Sequence, residues 1–203
     1  TATDSLKLLQ LQSTLGGFAY SATLPSPNAS ATTTLENEFV KLTISNKGGY
    51  ISEAILKDYE RFHKGSGQLV TLVKDNNSSL NLKVQTKDNR ALETKNLFFE
   101  PTLTTVGGNQ VLSMRLKAGP EQFLEYKYVL KPNDYMVDFD VRSHGLEQTL
   151  NTTQPITLEW ELKGLRSEKS VSYENRYTEI VYEYEDGKDT YLGQGTDDQE
   201  SAT

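Results

Sequence analysis

The sequence has no cysteine and only two histidines among its 203 residues. Lack of cysteine excludes a thiol nucleophile, a disulfide and a cysteine-ligated metal, although it does not identify a cellular compartment. Basic residues are also few, since 28 acidic residues against 21 basic ones give a net charge of -7. Such a chain repels phosphate backbones and anionic lipid headgroups, so we expect no nucleic acid among its partners.

Long hydrophobic runs are missing too. No stretch approaches the roughly 20 apolar residues that cross a bilayer, and the first residues lack the basic and then apolar order of a signal peptide. We therefore expect this chain itself to be soluble. Both ends are polar and neither resembles a natural start, which suggests a piece of a longer protein.

Residues 1–34 differ in pattern from the rest. Asp4 is a candidate helix cap, Gly16-Gly17 a candidate stop, and residues 25–34 have the composition of a linker. We interpret 1–34 as a tether, while a helix docked on the domain over residues 5–15 remains an equal alternative. The helical spacing is carried by Leu8, Leu11 and Leu15.

From Leu35 to about residue 192 the hydrophobic period is two, which is typical of strands with one buried face. Turn sequences separate these runs, beginning with Asn46-Lys-Gly-Gly49, and no long helical stretch alternates with them. The pattern predicts an all-β domain of two antiparallel sheets packed face to face, followed by an acidic flexible tail at 193–203. The alternating sets include Val40, Leu42, Ile44; Leu80, Leu82, Val84; Leu112, Met114, Leu116; Leu124, Tyr126, Tyr128, Leu130; Tyr135, Val137, Phe139, Val141; and Ile156, Leu158, Trp160, Leu162.

Candidate catalytic groups are sparse. His63 and His144 lie in glycine-bearing segments without metal-binding spacing, so we interpret both as exposed loop residues. The string Lys64-Gly-Ser-Gly lacks the Gly-x-Ser-x-Gly spacing of a serine nucleophile. The glycine pairs at 48–49 and 107–108 match no phosphate-binding or dinucleotide motif and are predicted to be turns.

Two carboxylates at i and i+2 share one face of a strand. Glycosidases use a pair of carboxyl groups, so each such pair is a candidate catalytic pair. Asp138 with Asp140, and Glu159 with Glu161, alternate with apolar residues, so we assign both pairs to a solvated face. Asp75-Asn-Asn-Ser-Ser has oxygen ligands but lacks the spacing of the helix-loop-helix calcium motif, which favours a turn.

Aromatic residues offer the remaining binding candidates. Trp160 is flanked at i±2 by Leu158 and Leu162, so we predict that it packs in the core rather than forming a sugar-binding platform. Tyrosines concentrate near the end of the chain and are candidates for a groove or an interface. They are Tyr173, Tyr177, Tyr182, Tyr184 and Tyr191.

Four strings resemble one known family. Leu35-Glu-Asn-Glu-Phe-Val-Lys-Leu-Thr-Ile-Ser-Asn-Lys-Gly-Gly49, continued by Ile51 and Leu56-Lys-Asp-Tyr59, is similar to the opening of the large periplasmic domain of the YidC membrane-protein insertases. Later strings that resemble the same domain are Phe123-Leu-Glu-Tyr-Lys-Tyr, Leu130-Lys-Pro-Asn-Asp-Tyr-Met-Val-Asp-Phe and Glu174-Asn-Arg-Tyr-Thr.

The resemblance implies a large twisted antiparallel β-sandwich, a supersandwich like that of galactose mutarotases, with residues 1–34 following a first transmembrane helix. It implies a place on the periplasmic side of the bacterial inner membrane, in a membrane-embedded whole protein. It implies as partners the Sec translocon and nascent membrane proteins. The insertase activity belongs to a membrane core that is not in these residues.

We therefore expect an accessory, scaffolding domain and not an enzyme, with no cofactor, metal ligand or catalytic residue, and we assign no partner-binding residue. The alternative is a non-catalytic module that binds carbohydrate or peptide in a β-sandwich cleft. A mutarotase-like enzyme is disfavoured because fold alone does not carry function and no acid-base constellation can be traced.

Overall fold

The computed structural model describes residues 2–24, 31–184, 187–193 and 199. Its helices are α1 (Ala2–Leu15), α2 (Ala19–Thr23) and α3 (Val171–Arg176), with 3-10 turns at Gly16–Phe18 and Thr94–Asn96. The strands are β1 (Thr32–Glu36), β2 (Val40–Ser45), β3 (Ile51–Glu60), β4 (Leu69–Val73), β5 (Ser78–Gln85), β6 (Ala91–Glu93), β7 (Glu100–Val106), β8 (Asn109–Gly119), β9 (Gln122–Leu130), β10 (Val137–His144), β11 (Thr157–Leu162), β12 (Ile180–Tyr184) and β13 (Lys188–Leu192).

All strand pairs in this described part are antiparallel. The strands are arranged as β1-β2-β3-β4, β10-β9-β8-β7, β11-β5-β6 and β12-β13. The prediction of a mostly β, antiparallel fold with a short N-terminal helix is confirmed. The strands are divided among several sheets rather than two, because β11 pairs with β5 and not with its chain neighbour β10.

The hydrophobic core is formed by alternate residues of neighbouring strands. In β8 and β9, Leu112 lies opposite Tyr128 and Met114 opposite Tyr126, and all four side chains are buried. Residues directly opposite in an antiparallel pair point to the same face, so this face is continuous across both strands. The core cluster also contains Ile44 and other residues of β2, so the two four-stranded sheets contribute to one core.

The turn between β2 and β3 depends on glycine. Gly48 and Gly49 both have positive φ, at 84° and 69°, which confirms the predicted turn. A Cβ atom on Gly49 would lie 3.0 Å from Phe99 Cγ and 3.1 Å from Tyr126 Cδ2. Only a residue without a side chain therefore suits both the backbone conformation and the space at Gly49.

The N-terminal segment contacts the β-sheets at its C-terminal half. Phe18 and Ala19 are buried in the core, and Ser21 Oγ donates a hydrogen bond to the Phe98 carbonyl. Leu6 and Leu9 of α1 are exposed. Burial is therefore concentrated at residues 18–21, which follow the 5–15 helix of the docked alternative, and most of the described α1 side chains are exposed. Among the described residues, no helix combines the length and apolar character needed to cross a bilayer.

Strand β1 starts at Thr32, within the 25–34 segment that composition predicts to be a linker, so that prediction is wrong for residues 32–34. Backbone pairing of Thr32, Thr33 and Thr34 with β2 orders residues that have few apolar side chains of their own. Residues 25–30, and the predicted tail at 193–203 apart from Gly193 and Gln199, lie outside the described residues.

Candidate interaction surface

The two histidines lie apart and at the surface. His63 is exposed in the loop after β3, and His144 is exposed at the end of β10, where its ring stacks on Phe123 at 5.2 Å. Within the part of the chain that the structure describes, neither imidazole forms an ion pair or a hydrogen bond with a carboxylate. The arrangement therefore brings no general base and acid together at either histidine.

The paired carboxylates are occupied by neighbouring bases. Asp138 lies 3.0 Å from Lys131 Nζ, and Asp140 lies 3.0 Å from Arg142 Nη2, with both carboxylates exposed. The solvated-face prediction is confirmed for this pair. Each exposed ion pair of this kind contributes little to stability and leaves no unpaired charge for proton transfer.

Glu159 is held more tightly. Its carboxylate accepts hydrogen bonds from Lys83 Nζ at 2.5 Å and from Asn81 Nδ2 at 3.0 Å, and the Lys83 bond is the main reason that the pKa of Glu159 is lowered. Its neighbour at i+2, Glu161, is exposed and accepts only a 3.4 Å bond from Ser79. Glu159 is therefore engaged in an ion pair with Lys83 and is not left free for acid-base chemistry.

The loop after β3, which contains His63, and the loop at residues 74–77 are each held by hydrogen bonds from their own residues. The Glu60 carboxylate accepts from the amides of Gly65 and Gly67, which shapes the loop that contains His63. In the other loop, Asp75 and Asn76 adopt positive φ, and Asn77 binds the backbone at Lys74, Leu72 and Lys163. The predicted turn is confirmed at 75–77, and the described residues contain no group of acidic or histidine side chains suited to a metal ion.

The prediction that Trp160 packs in the core is wrong. The indole is 71% exposed, and its neighbours Leu158 and Leu162 are exposed as well. These side chains share a face with Leu80 and Leu82 of β5, but β11 is a terminal strand of its sheet, and its part of that face is exposed although Leu82 is buried. Alternation identified the apolar face correctly and could not show that it lacks a covering layer.

Exposed tyrosines mark the region around α3. Tyr173 and Tyr177 are exposed and lie with ring centroids 4.9 Å apart, while Tyr191 on β13 is exposed too. Tyr182 is half-buried, and the side chain of Tyr184 lies outside the described residues. Ile180 and Val181 are neighbours in β12 and point to opposite faces, yet both are exposed. We call Val171, Tyr173, Tyr177, Ile180 and Val181 the tyrosine surface.

The base of the tyrosine surface is fixed by polar contacts. Glu174 of α3 accepts hydrogen bonds from the amides of Ser167 and Glu168 and lies 3.7 Å from Arg166 Nε. Arg61 donates two hydrogen bonds to the Arg166 carbonyl, which joins this segment to the loop after β3. Helix α3 also begins at a cap, since Ser170 Oγ accepts from the Tyr173 amide. The exposed rings are therefore presented from an anchored backbone.

The anchoring residues Glu60, Arg61 and Glu174 were not found by sequence reasoning. Arg61 and Arg166 are 105 positions apart, and charged residues near glycines are common on any surface. No spacing rule connects such residues, so only the fold could bring them together. The serine at the start of α3 was the one local signal available.

Two buried tyrosines are the chemically unusual groups of the interior. Tyr126 donates to Thr94 Oγ1 at 2.9 Å, and burial raises the pKa of Tyr126 to about 12. Tyr128 donates to the Gly49 carbonyl at 2.7 Å, and burial raises the pKa of Tyr128 as well. Both hydroxyls stay protonated at neutral pH and connect the sheet β7–β10 to other elements, which is a structural role.

Two open cavities lie on the surface. One, of about 420 Å³, has Lys57 at its edge, but the ammonium is already bound by the Glu36 carboxylate and the Asn37 carbonyl. The other, of about 510 Å³, lies between the β5–β6 hairpin and residues 154–157 and has both polar and apolar walls. The first offers a ligand few free groups, so the second is the better candidate cleft.

Comparison with known proteins identifies the family. Residues 32–201 match the family model described as the YidC periplasmic domain. This chain belongs to the YidC periplasmic domain family. That family is non-catalytic, so the expectation that the chain is not an enzyme is confirmed. Membership also places the chain in the periplasm.

Curated relatives carry the same family name. The chain is 34% identical to "Membrane protein insertase YidC" of Phocaeicola vulgatus over 175 residues, which cover 84% of this chain and 27% of the relative. It is 34% identical to the protein of that name from Parabacteroides distasonis, covering 89% and 27%, and 34% identical to that from Porphyromonas gingivalis, covering 74% and 23%. The chain thus spans about a quarter of these YidC relatives. No solved structure matches it.

Proposed function

We propose that this YidC periplasmic domain is an accessory and scaffolding part of a membrane-protein insertase, assisting the insertion and folding of inner-membrane proteins alone or with the Sec translocon. Its work is binding rather than bond-making. The observation that carries the proposal is the tyrosine surface, which presents exposed aromatic and aliphatic side chains beside an anchored helix. The proposed partners are translocon components and nascent membrane proteins.

The tyrosine surface has the properties of a protein-binding site. Tyrosine is enriched at interfaces because its ring buries a large area and its hydroxyl can still bond at the rim. The Glu174 and Arg61 contacts hold α3 before a partner arrives, which lowers the entropy lost on binding. Exposure of both faces of β12 further distinguishes this region from an ordinary covered sheet.

Photo-cross-linking tests this assignment. A photoreactive amino acid at Tyr173 of the full-length protein in membranes should cross-link to a translocon subunit or a nascent membrane protein. The same group at Thr104, an exposed position of β7, is the control. Equal or absent cross-linking at both positions would contradict a role for this surface in partner binding.

A deletion tests the accessory role itself. Removing residues 60–180 from the full-length protein, while retaining the flanking segments, should leave most insertion activity, because the proposal gives this domain an assisting role and not an essential step. The measurement is depletion of the natural copy followed by an insertion assay on a model membrane protein. Complete loss of viability would refute the accessory interpretation.

We also propose that the sheets form part of a large twisted antiparallel sandwich, a galactose-mutarotase-like supersandwich. The support is that β2 of one four-stranded sheet and β8 and β9 of the other contribute to the same core cluster. We retain the residues up to 31 as the segment that leads into the domain, which starts with β1 and extends to residue 192, and we retain 193–203 as its tail. A crystal structure of the whole periplasmic region would test both proposals.

A second candidate function is carbohydrate or peptide binding without catalysis. The cavity of about 510 Å³ beside β5 and β6 favours it, because that volume lies within the range of ligand clefts. A bound ligand at 100 times its dissociation constant stabilises a protein by about 2.7 kcal/mol, which a thermal melt detects easily. Absence of any shift across a panel of sugars and peptides would remove this candidate.

A further inference from the structure

Three aromatic residues from distant segments meet on one surface. Phe39 lies just before β2, Tyr59 lies near the end of β3, and Tyr135 lies in the connection between β9 and β10. The Phe39 and Tyr135 rings are stacked with centroids 4.8 Å apart, and the Tyr59 ring lies 6.0 Å from that of Tyr135. Tyr59, Tyr135 and the adjacent Met136 are nevertheless exposed. The cluster therefore presents aromatic and apolar side chains to solvent instead of burying them.

An acidic residue precedes each of the three rings in the sequence. The pairs are Glu38-Phe39, Asp58-Tyr59 and Asp134-Tyr135. The Tyr135 hydroxyl donates to Asp58 Oδ2 at 3.4 Å, so the acid of one pair lies beside the ring of another. We call residues 38–39, 58–59 and 134–136 the acidic aromatic surface.

The carboxylates of this surface have no basic partner. Among the described residues, no lysine, arginine or histidine lies within ion-pair distance of Glu38, Asp58 or Asp134. The lysines that neighbour them in the chain are bound by other acids, since Lys57 Nζ lies 2.8 Å from Glu36 and Lys131 Nζ lies 3.0 Å from Asp138. The surface therefore combines exposed rings with negative charge that no base compensates.

The backbone under the acidic aromatic surface is fixed by Asn37. Its Oδ1 accepts from the Phe39 amide at 2.9 Å, and its Nδ2 donates to the carbonyls of Lys131 and Asp134 at 2.8 Å and 2.7 Å. Lys57 of β3 donates from Nζ to the Asn37 carbonyl and from its amide to the Phe39 carbonyl, both at 2.8 Å. These contacts hold the three segments together, and a surface that is already ordered loses less entropy when a partner binds.

We propose that the acidic aromatic surface binds a lysine- or arginine-bearing segment of a partner protein. The faces of tyrosine rings attract cations, and carboxylates accept charge-assisted hydrogen bonds from ammonium and guanidinium groups. The apolar stems of lysine and arginine pack on rings while the charged ends reach the acids. The inference goes beyond the accessory role proposed above and does not depend on the tyrosine surface.

Other partners fit this surface less well. An anionic lipid surface or a nucleic acid is repelled by the three carboxylates and by the net charge of -7. A second copy of the chain carries that same net charge. A carbohydrate can stack on tyrosine rings, but it leaves the negative charge uncompensated. A cationic protein segment satisfies both properties of the surface.

A titration with matched peptides tests the chemistry of the partner. The probe is a short fluorescent peptide in which arginine alternates with leucine, and its control contains citrulline, which keeps the shape of arginine and removes the charge. We expect this chain to bind the arginine peptide at least about 10-fold more tightly than the citrulline peptide in fluorescence anisotropy. The affinity for the arginine peptide should fall as salt is added, because salt screens exposed charges.

Substitutions on the surface test the roles of ring and carboxylate. Tyr59→Leu keeps an apolar side chain and should weaken binding of the arginine peptide about 3-fold, and Asp58→Asn should weaken it by about the same factor. Tyr191→Leu is the matched control for the ring, since Tyr191 and Tyr59 are both 53% exposed. Asp140→Asn is the control for charge, because that carboxylate is exposed but pairs with Arg142. Neither control should change binding by more than about 1.5-fold.

Nuclear magnetic resonance on the unsubstituted chain locates the peptide without relying on any variant. Shift changes centred on residues 37–39, 57–60 and 133–137 support the proposal. Equal binding of the arginine and citrulline peptides, or shift changes centred elsewhere, would overturn it. The same shift changes caused by an oligosaccharide but not by the arginine peptide would assign the surface to carbohydrate instead. The same changes caused by phosphatidylglycerol vesicles alone would assign it to lipid.

Discussion

Replacing Thr94 by valine probes the buried polar junction between sheets. The Thr94 hydroxyl is fully buried and accepts two hydrogen bonds, from the Leu82 amide at 2.8 Å and from the Tyr126 hydroxyl at 2.9 Å. Valine preserves the shape but accepts neither bond, so two buried donors lose their partner. At about 1–3 kcal/mol for each unsatisfied group, we expect Thr94→Val to lower the free energy of unfolding by about 2–6 kcal/mol.

The second step of this prediction has the opposite sign. In the Thr94→Val background, Tyr126→Phe removes one of the two unsatisfied donors and should restore about 1 kcal/mol, although the same substitution in the natural chain destabilises it. Thr94→Ser keeps the hydroxyl and should lose only about 1 kcal/mol for the missing methyl group. Urea unfolding of Thr94→Val, Tyr126→Phe, the double variant and Thr94→Ser measures each of these changes in the free energy of unfolding.

Two results would refute this reasoning. If Thr94→Val changed stability by less than about 0.5 kcal/mol, the junction would be satisfied in another way, for example by water. If Tyr126→Phe destabilised the Thr94→Val variant as much as it destabilises the natural chain, the two hydroxyls would not be coupled.

Three further predictions concern the core and its boundary. Gly49→Ala should lower the free energy of unfolding by about 2–4 kcal/mol, because Gly49 has a φ of 69° and an added Cβ would contact Phe99 and Tyr126. Gly65 has a φ of 85° but open space around it, so Gly65→Ala should lower it by only about 1 kcal/mol. Thermal melts of the two variants test the difference. Burial raises the pKa of Tyr126 from 10.0 to about 12, so the contribution of Tyr126 to stability is complete below pH 10 and is lost as the pH rises through 12. The expected loss in the free energy of unfolding is about 3 kcal/mol. Urea unfolding at each pH should show a smaller loss in Tyr126→Phe. Trp160→Ala should change the free energy of unfolding by less than about 1 kcal/mol, because the side chain is exposed. Leu112→Ala, at a fully buried position, should lower it by about 2–5 kcal/mol. Similar losses of stability in both variants would contradict the exposed placement of Trp160.

The central strands could be predicted from sequence because their burial is one-sided. Leu112, Met114 and Leu116 alternate with polar residues, and all three are buried. The threonine-rich β1 and β7 have no such alternation and were missed. Strand β7 even contains Pro101, which a terminal strand tolerates because one of its edges pairs with no strand of the described residues.

Burial at the edges could not be predicted in the same way. Trp160 and Leu112 occupy equivalent positions in alternating patterns, and the difference in exposure arises from what lies above each face. That is a property of the tertiary arrangement and not of the strand. The tyrosine surface was partly predicted, because tyrosine clustering is visible in sequence, whereas the Arg61 and Glu174 contacts that fix it depend on distant segments.

The burial of Phe18 has a mechanical consequence. Helix α1 is joined to the sheet β7–β10 through Phe18, which is buried in the core, and Ser21, which donates a hydrogen bond to the Phe98 carbonyl. A force applied to α1 would therefore act directly on the sheet. Force along this segment would have to extract an aromatic ring from a packed interior before the strands could separate. The short segment from Gly16 to Thr23 therefore acts as a stiff coupling, and tension or displacement at α1 would be transmitted to the sheet.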